Sequence, residues 1–289
     1  MRQLMVIVLL LGVLIVAARL GYAHLFRESP IQPMQVLSVE GQVKSTSADG
    51  KSRPLRERDV IADNETIETG KNSSVKVGRQ DQYLAMREET ALSMMGVNSK
   101  EPQVLVERGA VEGGVTPQKG LSLKVKVANN ETAVAIYGGR GTVRTDGEGT
   151  LDVSAHEGNI QLQPPGKPAQ DVPKGEHRVI ASDGESLASG AIPRSVLLAV
   201  EWPEEQVFNK PTTTVKGKVT PGSEVMVEGR RIKPERDGSF KAEVPLREGK
   251  NQVKVEARGT GEPTTQVSPE YMVDTKAPSV RSRTDQLWR

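Results

Sequence analysis

Hydrophobic and polar residues alternate along most of the chain after residue 34. The alternation is clear in residues 35–43 (QVLSVEGQV), 75–77 (VKV) and 121–127 (LSLKVKV). Because successive side chains of a β-strand point to opposite faces of its sheet, a period of two predicts strands with one buried face. Turn sequences interrupt the runs at residues 48–50, 69–72, 146–147 and 182–184. The pattern therefore predicts an all-β fold made of many short strands.

The first residues break this pattern, because an uncharged apolar run begins at Leu4 and ends at Ala18. Continued to Ala23, the run is about 20 residues long, enough for one hydrophobic helix to span a bilayer. The alternative is a signal peptide cleaved after residues 21–23 (GYA), in which small residues flank a tyrosine. Both interpretations export the rest of the chain. We expect a single-pass protein of a bacterial inner membrane with its bulk in the periplasm, or a periplasmic protein released by cleavage.

A second set of alternating segments begins after a change of composition at residues 191–195 (AIPRS). About five to seven short strands within about eighty residues is the size of an immunoglobulin-like sandwich. The strands are predicted at residues 196–200, 213–219, 224–232, 239–244, 251–257 and 271–273. The whole chain then divides into a membrane anchor or signal peptide (1–25), a linker (26–34), a first β domain (35–192), an immunoglobulin-like domain (193–277) and a flexible tail (278–289).

A short motif with a central glycine recurs three times, at residues 39–43 (VEGQV), 107–111 (ERGAV) and 156–160 (HEGNI). Each copy places the glycine two residues before a second apolar or β-branched position within a strand-like segment. Glycine inside a strand marks a bulge or a close approach of two backbones. The irregular spacing of the copies argues against a regular repeat, although a rolled or solenoid-like sheet remains compatible with it.

The glycine-rich stretch at residues 132–163 could also be a phosphate-binding loop. A dinucleotide fingerprint would need a third glycine where Arg144 stands, and a helix would have to follow. Turn residues follow instead, at 145–149. We therefore predict a strand, a turn and a second strand.

Composition and charge exclude several classes of protein. Lys and Arg number 39 and Asp and Glu 37, so no broad basic face for nucleic acid is expected. Cysteine is absent, which excludes disulfides, thiolate zinc sites and a cysteine nucleophile.

Candidate catalytic residues are few. His156 and His177 show no metal-ligand spacing and are predicted to be surface histidines. The pairs at 88–89 and 204–205 are adjacent glutamates, which in an extended strand point to opposite faces and cannot share a cleft. We therefore predict no catalytic site, no cofactor and no metal.

With no catalytic, cofactor or metal site predicted, the remaining function is the binding of a partner by the protein surface. The candidate interface residues are Trp202, Phe208, Arg230 and Arg231. Aromatic residues and arginine carry much of the binding energy of protein interfaces. In a chain with only 3% aromatics, Trp202 and Phe208 are alternatively expected to fill the seam between the two domains.

The first domain resembles the FecR-type periplasmic domain in the order of its motifs, over residues 35–180. The matching segments are 39–43, 53–55 (RPL), 59–61 (DVI), 63–70 (DNETIETG), 74–77 (SVKV), 139–142 (GRGT), 151–153 (LDV), 157–160 and 172–176 (VPKGE). The resemblance implies a β-solenoid or rolled-sheet domain that transmits or scaffolds protein contacts outside the inner membrane. FecR regulators carry a cytoplasmic anti-sigma segment before the membrane helix, whereas only residues 1–3 precede it here, so direct control of a sigma factor is not expected.

The second domain resembles a bacterial immunoglobulin-like repeat, through residues 217–225 (GKVTPGSEV), 237–246 (DGSFKAEVPL), 248–253 (EGKNQV) and 273–278 (VDTKAP). The first functional hypothesis is a non-enzymatic scaffold or protein-binding module of the cell envelope. The second is a component of an envelope signalling relay, and the third is a carbohydrate-binding accessory factor. The expected partners are another envelope protein, cell-wall glycan and the inner membrane, but not nucleic acid.

Overall fold

The structure, a computed structural model, describes residues 31–117, 120–259 and 263–275. The predicted membrane segment, the first part of the linker and the predicted tail lie outside these residues. Within them no helix is long and apolar enough to cross a membrane. The described part of the chain is all-β, as the alternation predicts.

Fourteen strands form one sheet, which we call the N-terminal module. They are β1 (Gln35–Glu40), β2 (Val43–Thr46), β3 (Ser52–Pro54), β4 (Glu65–Thr69), β5 (Ser74–Arg79), β6 (Gln82–Met86), β7 (Ala91–Met95), β8 (Gln103–Val115), β9 (Leu123–Val127), β10 (Ala133–Thr145), β11 (Leu151–Gln163), β12 (Gln170–Val172), β13 (Glu176–Ile180) and β14 (Ser186–Ala191). The main path runs β14-β13-β11-β10-β9-β8-β7-β4-β2-β3, while β1, β5 and β6 branch from β8. All pairings in the module are antiparallel except that of β8 with β9, which is parallel. No local sequence pattern predicts this parallel pairing.

The three long strands β8, β10 and β11 each change face in the middle. In β11 the core receives Val153 and Ala155 before residue 156 but Ile160 and Leu162 after it, so the buried positions switch from odd to even numbers. The register of β10 against β11 shifts at the same place. Because side chains alternate with a period of two, one extra residue moves the following side chains to the opposite face. The bulges therefore keep apolar residues in the core along all 13 residues of the strand.

The glycines of the recurring motif lie at close backbone approaches, as predicted: Gly109 and Gly158 are within β8 and β11, and Gly41 is in the bend between β1 and β2. Gly41, Gly109 and Gly158 have φ angles of +71°, +92° and +75°. A Cβ at Gly158 would collide with the carbonyl oxygen of Gly138 on the opposite strand. The predicted close backbone crossing is confirmed, and the stretch at 132–163 is the strand, turn and strand of β10 and β11 rather than a phosphate loop.

Ten further strands form three small sheets, which we call the C-terminal module. They are β15 (Leu198–Glu201), β16 (Val207–Phe208), β17 (Thr212–Val219), β18 (Glu224–Val227), β19 (Arg230–Ile232), β20 (Ser239–Pro245), β21 (Gly249–Asn251), β22 (Lys254–Arg258), β23 (Thr264–Val267) and β24 (Tyr271–Val273). The sheet orders are β15-β17-β20, β16-β24-β21 and β19-β18-β22-β23.

Two predicted strands of this module are each split in two. The segment 224–232 folds back on itself at Glu228 and Gly229, whose φ angles of +48° and +73° make a two-residue hairpin turn. The segment 251–257 is divided between β21 and β22, and β21 begins at Gly249, two residues before the predicted strand. The solenoid and immunoglobulin-like topologies stay predictions.

Each module has its own hydrophobic cluster. The N-terminal cluster includes Met34, Ile67, Leu92 and Ile136, and the C-terminal cluster includes Val215, Phe240 and Tyr271. The described residues from Pro33 onward nevertheless belong to one compact unit. The predicted division into two domains stays a prediction.

The bulge glycine of β11 gives a direct test of this architecture. We expect Gly158→Ala to lower the free energy of unfolding by about 3 kcal/mol, because left-handed strain adds to a backbone collision. Gly166→Ala is the matched control, because Gly166 also has a positive φ (+65°) but no atom within 4 Å of the added Cβ. The control should cost about 1 kcal/mol. Equal losses in urea unfolding would contradict the crossing.

Candidate functional site between the two modules

The C-terminal module packs against three turns of the N-terminal module, those at residues 87–90, 146–150 and 181–185. At the centre, Gly222 lies so close to the first module that an added Cβ would be 2.5 Å from Val179 and 3.4 Å from Thr150. Beside it, the Arg231 guanidinium donates a hydrogen bond of 2.8 Å to the carbonyl oxygen of Asp146. The modules therefore touch through turns and leave space between them.

Exposed ion pairs close one side of this contact, and we call them the rim. Arg236 binds Asp183 and Glu185 at 2.6 and 3.0 Å, and Lys233 approaches Glu148 at 3.4 Å. The Arg236 and Asp183 side chains are 62% and 48% exposed, and those of Lys233 and Glu148 are 70% and 65% exposed. Pairs this open to water are worth less than about 1 kcal/mol each.

Arg258 makes a stronger connection on the other side. Its guanidinium contacts Glu256 at 2.6 Å, Glu88 at 3.1 Å and Glu89 at 3.7 Å. The hydrogen bond from Arg258 holds the pKa of Glu256 below its ordinary value, and the same bond raises the pKa of Arg258. Glu88 and Glu89 lie in the turn after β6 rather than in a strand, so both reach one partner. The prediction that adjacent glutamates face apart applied to an extended strand, and this pair is not extended, because Glu89 has a φ of +53°.

Between these contacts lies a cleft of about 700 Å³, which we call the inter-module cleft. The N-terminal module supplies residues 69–71, 87–89, 108–110 and 144–146, and the C-terminal module supplies residues from β18, β22 and the neighbouring turns. Its lining is rich in charge. Six basic side chains face or border the space: Lys71, Arg87, Arg108, Arg144, Arg231 and Arg258. A second cleft of about 360 Å³ shares Asp146 and Arg231 with it.

The predicted interface residues separate into two pairs. Arg231 lines both clefts and forms an ion pair of 2.6 Å with Glu224, whereas Arg230 is exposed and outside both linings. Trp202 and Phe208 are half-buried against the C-terminal hydrophobic cluster. Phe208 meets Tyr271 edge to face at 5.3 Å between ring centroids. The structure therefore brings only Arg231 to the cleft, and neither aromatic residue lines it.

A polar cluster follows the outward face of β6, β8, β10 and β11. The Tyr83 hydroxyl donates to Glu112 at 3.0 Å, and Arg140 lies 3.6 Å from Glu112 and 3.2 Å from Glu157. Gly114 lies beneath the Tyr83 ring, where any Cβ would collide with it. Burial and the bond to Glu112 raise the pKa of Tyr83 to about 12. This cluster orders the face but holds no recognisable catalytic arrangement.

The two histidines of the fold occupy different environments. His156 is half-buried and 2.8 Å from the Thr142 hydroxyl, and burial, with the charge of Arg140, lowers its pKa. His177 is buried, with Nδ1 3.7 Å from Oδ1 of Asp152. The surface assignment is wrong for His177, because its outward-facing position in β13 is covered. No group of three potential metal ligands occurs among the described residues.

Sequence reasoning missed Arg144, Arg258 and the glutamate pair that meets Arg258. The alternation in β10 places Arg140, Thr142 and Arg144 on one face, so Arg144 could have been assigned to that face. Nothing local could have paired Arg258 with Glu88, which is 170 positions away.

Removal of Arg258 should weaken the contact between modules more than removal of Arg236. We expect Arg258→Met to lower the free energy of unfolding by about 1–2 kcal/mol, because it removes the cation that Glu88, Glu89 and Glu256 share and leaves only Lys254, 3.5 Å from Glu256. Arg236→Met should cost less than about 0.5 kcal/mol, since its pairs are exposed. Urea unfolding of both variants measures this, and equal effects would mean that the Arg258 group is no stronger than the rim.

The raised pKa of Tyr83 predicts a loss of stability at alkaline pH. A folded pKa of about 12 means that the folded state holds the phenol proton more tightly than the unfolded state. The resulting stabilisation is complete below about pH 10 and is lost as pH rises toward about 12. Relative to Tyr83→Phe, the natural protein should therefore lose stability across this range. Unfolding free energies of the two proteins that stay parallel would refute the assignment.

Comparison with known proteins places the chain near few others. No family model matches it and no curated protein matches it. Two crystal structures of a proposed anti-sigma factor from Parabacteroides distasonis ATCC 8503 are similar, with TM-scores of 0.38 and identities of 17% and 18%. Each alignment covers 44% of this chain, which spans 59% of that protein. A polysaccharide lyase aligns over 84% of this chain and 40% of its own, with 12% identity and a TM-score of 0.20. These weak similarities concern shape alone.

Proposed function

We propose that this chain is a non-enzymatic recognition module of the bacterial cell envelope, which binds another envelope protein at the inter-module cleft and relays that event. The observation that carries the proposal is that the cleft is built jointly by two modules. A partner that enters it contacts both modules at once. Binding there is therefore coupled to how the modules are held together.

The unequal strength of the contacts around the cleft supports a relay. The rim is made of exposed ion pairs that are individually worth less than about 1 kcal/mol. The Arg258 group is half-buried and connects the modules on the opposite side. The weak rim and the stronger Arg258 group make a hinge-like arrangement, in which the rim can open while the Arg258 group holds. A ligand that binds the open and closed states with different affinities then shifts the equilibrium between them.

The route to the membrane in this proposal is the apolar run from Leu4 to Ala18. A retained helix would connect the periplasmic modules with a partner in or across the inner membrane. The resemblance of the first domain to FecR-type domains supports the same class of role.

The second candidate is a static scaffold that works without movement of the modules. The three glutamates gathered on Arg258 favour it, because a firm connection keeps a binding surface in one shape. A scaffold of this kind serves equally well if the N-terminal run is cleaved.

Photo-crosslinking in native envelopes tests the proposal. A crosslinking residue in place of Lys71, an exposed residue of the cleft lining, should capture a partner protein. The same residue in place of Lys174, exposed and outside both linings, is the matched control. Adducts from neither position, or equally from both, would overturn binding at the cleft. Recovery of protein that begins at His24 would remove the helix that the relay needs.

Distance measurement separates the relay from the scaffold. Because the chain has no cysteine, cysteines introduced at Lys167 and Lys250 would be its only thiols, one in each module. Spin or dye labels on them should report a change of distance when the captured partner is added. An unchanged distance with the partner bound would favour the scaffold.

A further inference from the structure

The inter-module cleft is lined by six basic and five acidic side chains, which leaves a formal excess of one positive charge. Glu88, Glu89 and Glu256 are all engaged by Arg258. Glu224 is engaged by Arg231 at 2.6 Å. These four carboxylates therefore form ion pairs with only two arginines, Arg258 and Arg231.

The last acid of the lining, Asp146, is committed to its own turn. One carboxylate oxygen accepts hydrogen bonds from the backbone amides of Glu148 and Thr150, at 2.8 and 3.1 Å. The other accepts from the Thr150 hydroxyl at 2.7 Å. The cleft keeps no uncommitted carboxylate among its described lining residues.

Three arginines of the lining have no such partner. Among the described residues, no carboxylate makes a hydrogen bond or ion pair with the guanidinium of Arg87, Arg108 or Arg144. Asp152 is directly opposite Arg144 on β11, and its negative charge acts to raise the pKa of Arg144. The three cations belong to the N-terminal side of the cleft.

Arg144 is the most costly of these cations to keep. Burial lowers the pKa of its guanidinium, the negative charge of Asp152 opposes this, and the positive charge of Arg87 adds to it. A desolvated charge without hydrogen-bonded partners is unfavourable in a folded protein. An incoming anion would supply the missing acceptors.

The backbone segments that carry Arg87 and Arg144 both neighbour one small residue, Ala110. Ala110 of β8 is directly opposite Arg144 of β10, and its carbonyl oxygen accepts a hydrogen bond of 3.1 Å from the amide of Arg87. Arg87, Ala110 and Arg144 all line the inter-module cleft. Planar guanidinium groups bind carboxylates through two parallel hydrogen bonds, which gives geometric specificity.

From this arrangement we infer that the inter-module cleft binds an acidic peptide segment, whose carboxylates are held by Arg144 and Arg87. The inference rests on the proposed function and names the chemistry of its partner. The cleft volume of about 700 Å³ exceeds what a single anion needs and is within the range of sites that enclose larger ligands. Met226, Gly229 and Pro263 on the opposite wall offer apolar and small surface to a peptide backbone. Arg108 and Lys71 extend the positive charge to the exposed end.

Binding of labelled hexaglutamate to the full chain in non-ionic detergent tests the inference. Fluorescence anisotropy should show binding of hexaglutamate but not of hexaglutamine, and the affinity should fall as salt rises. Arg144→Gln should weaken binding about tenfold or more, because charge-assisted hydrogen bonds are lost. Arg230→Gln is the matched control, since it removes the same charge from an exposed residue outside the lining, and it should leave binding unchanged.

A second variant separates binding from folding. Arg144→Met removes the half-buried charge and keeps an unbranched apolar side chain, so it should abolish binding while leaving the unfolding midpoint equal or higher. A lower midpoint would show that Arg144 serves the fold and would overturn the inference. So would equal losses of binding in Arg144→Gln and Arg230→Gln.

Competitors identify the anion. Inorganic phosphate or polygalacturonate that binds in place of hexaglutamate, with the same loss in Arg144→Gln, would overturn the peptide in favour of a small anion or an acidic glycan. Failure of the proposed function has a different signature. In that case hexaglutamate would bind in the cleft, but crosslinking from Lys71 would capture no envelope protein.

Discussion

The close approach of paired backbones at glycine bulges is the constraint on which this structure is built. Strands β8, β10 and β11 are each 13 residues long and change their buried face near the middle. Without the bulges, half of each strand would turn its apolar side chains to water and its charged side chains to the core. At Gly139 and Gly158 the two strands pass so closely that no Cβ fits. The extended core of the N-terminal module follows from this backbone geometry.

The same face change determines where the charged residues go. After the bulge in β10, Arg140, Thr142 and Arg144 share the outward face, and Asp152 and Ser154 lie opposite them on β11. Part of this face carries the Tyr83 cluster, and the part next to the turns is covered by the C-terminal module. Arg144 therefore lines the cleft that borders the C-terminal module and is not part of the core of its own sheet. A bulge that serves packing thus also places a cation in the inter-module cleft.

Apart from the packing of Gly222 on Val179 and Thr150, the contacts between the modules are ion pairs and hydrogen bonds, and this gives them their functional character. An apolar seam filled by Trp202 and Phe208 would hold the modules through hydrophobic burial, which does not depend on charge. Both aromatic residues instead pack on the C-terminal hydrophobic cluster, while ion pairs and one carbonyl contact join the modules. Ion pairs respond to salt, to charge and to competing ligands. An interface made this way is suited to being altered by a charged partner.

The sequence by itself determined the all-β class, most turn positions and the bulge glycines, because alternation, turn chemistry and the need for a missing Cβ are local properties. It also limited the chemistry, through the absence of cysteine and of metal-ligand spacing. Only the tertiary structure decided that β8 pairs parallel with β9, that His177 is buried and that Glu88 and Glu89 meet Arg258. These features join residues far apart in the chain, and their energies come from packing and Coulomb contacts that no local pattern encodes.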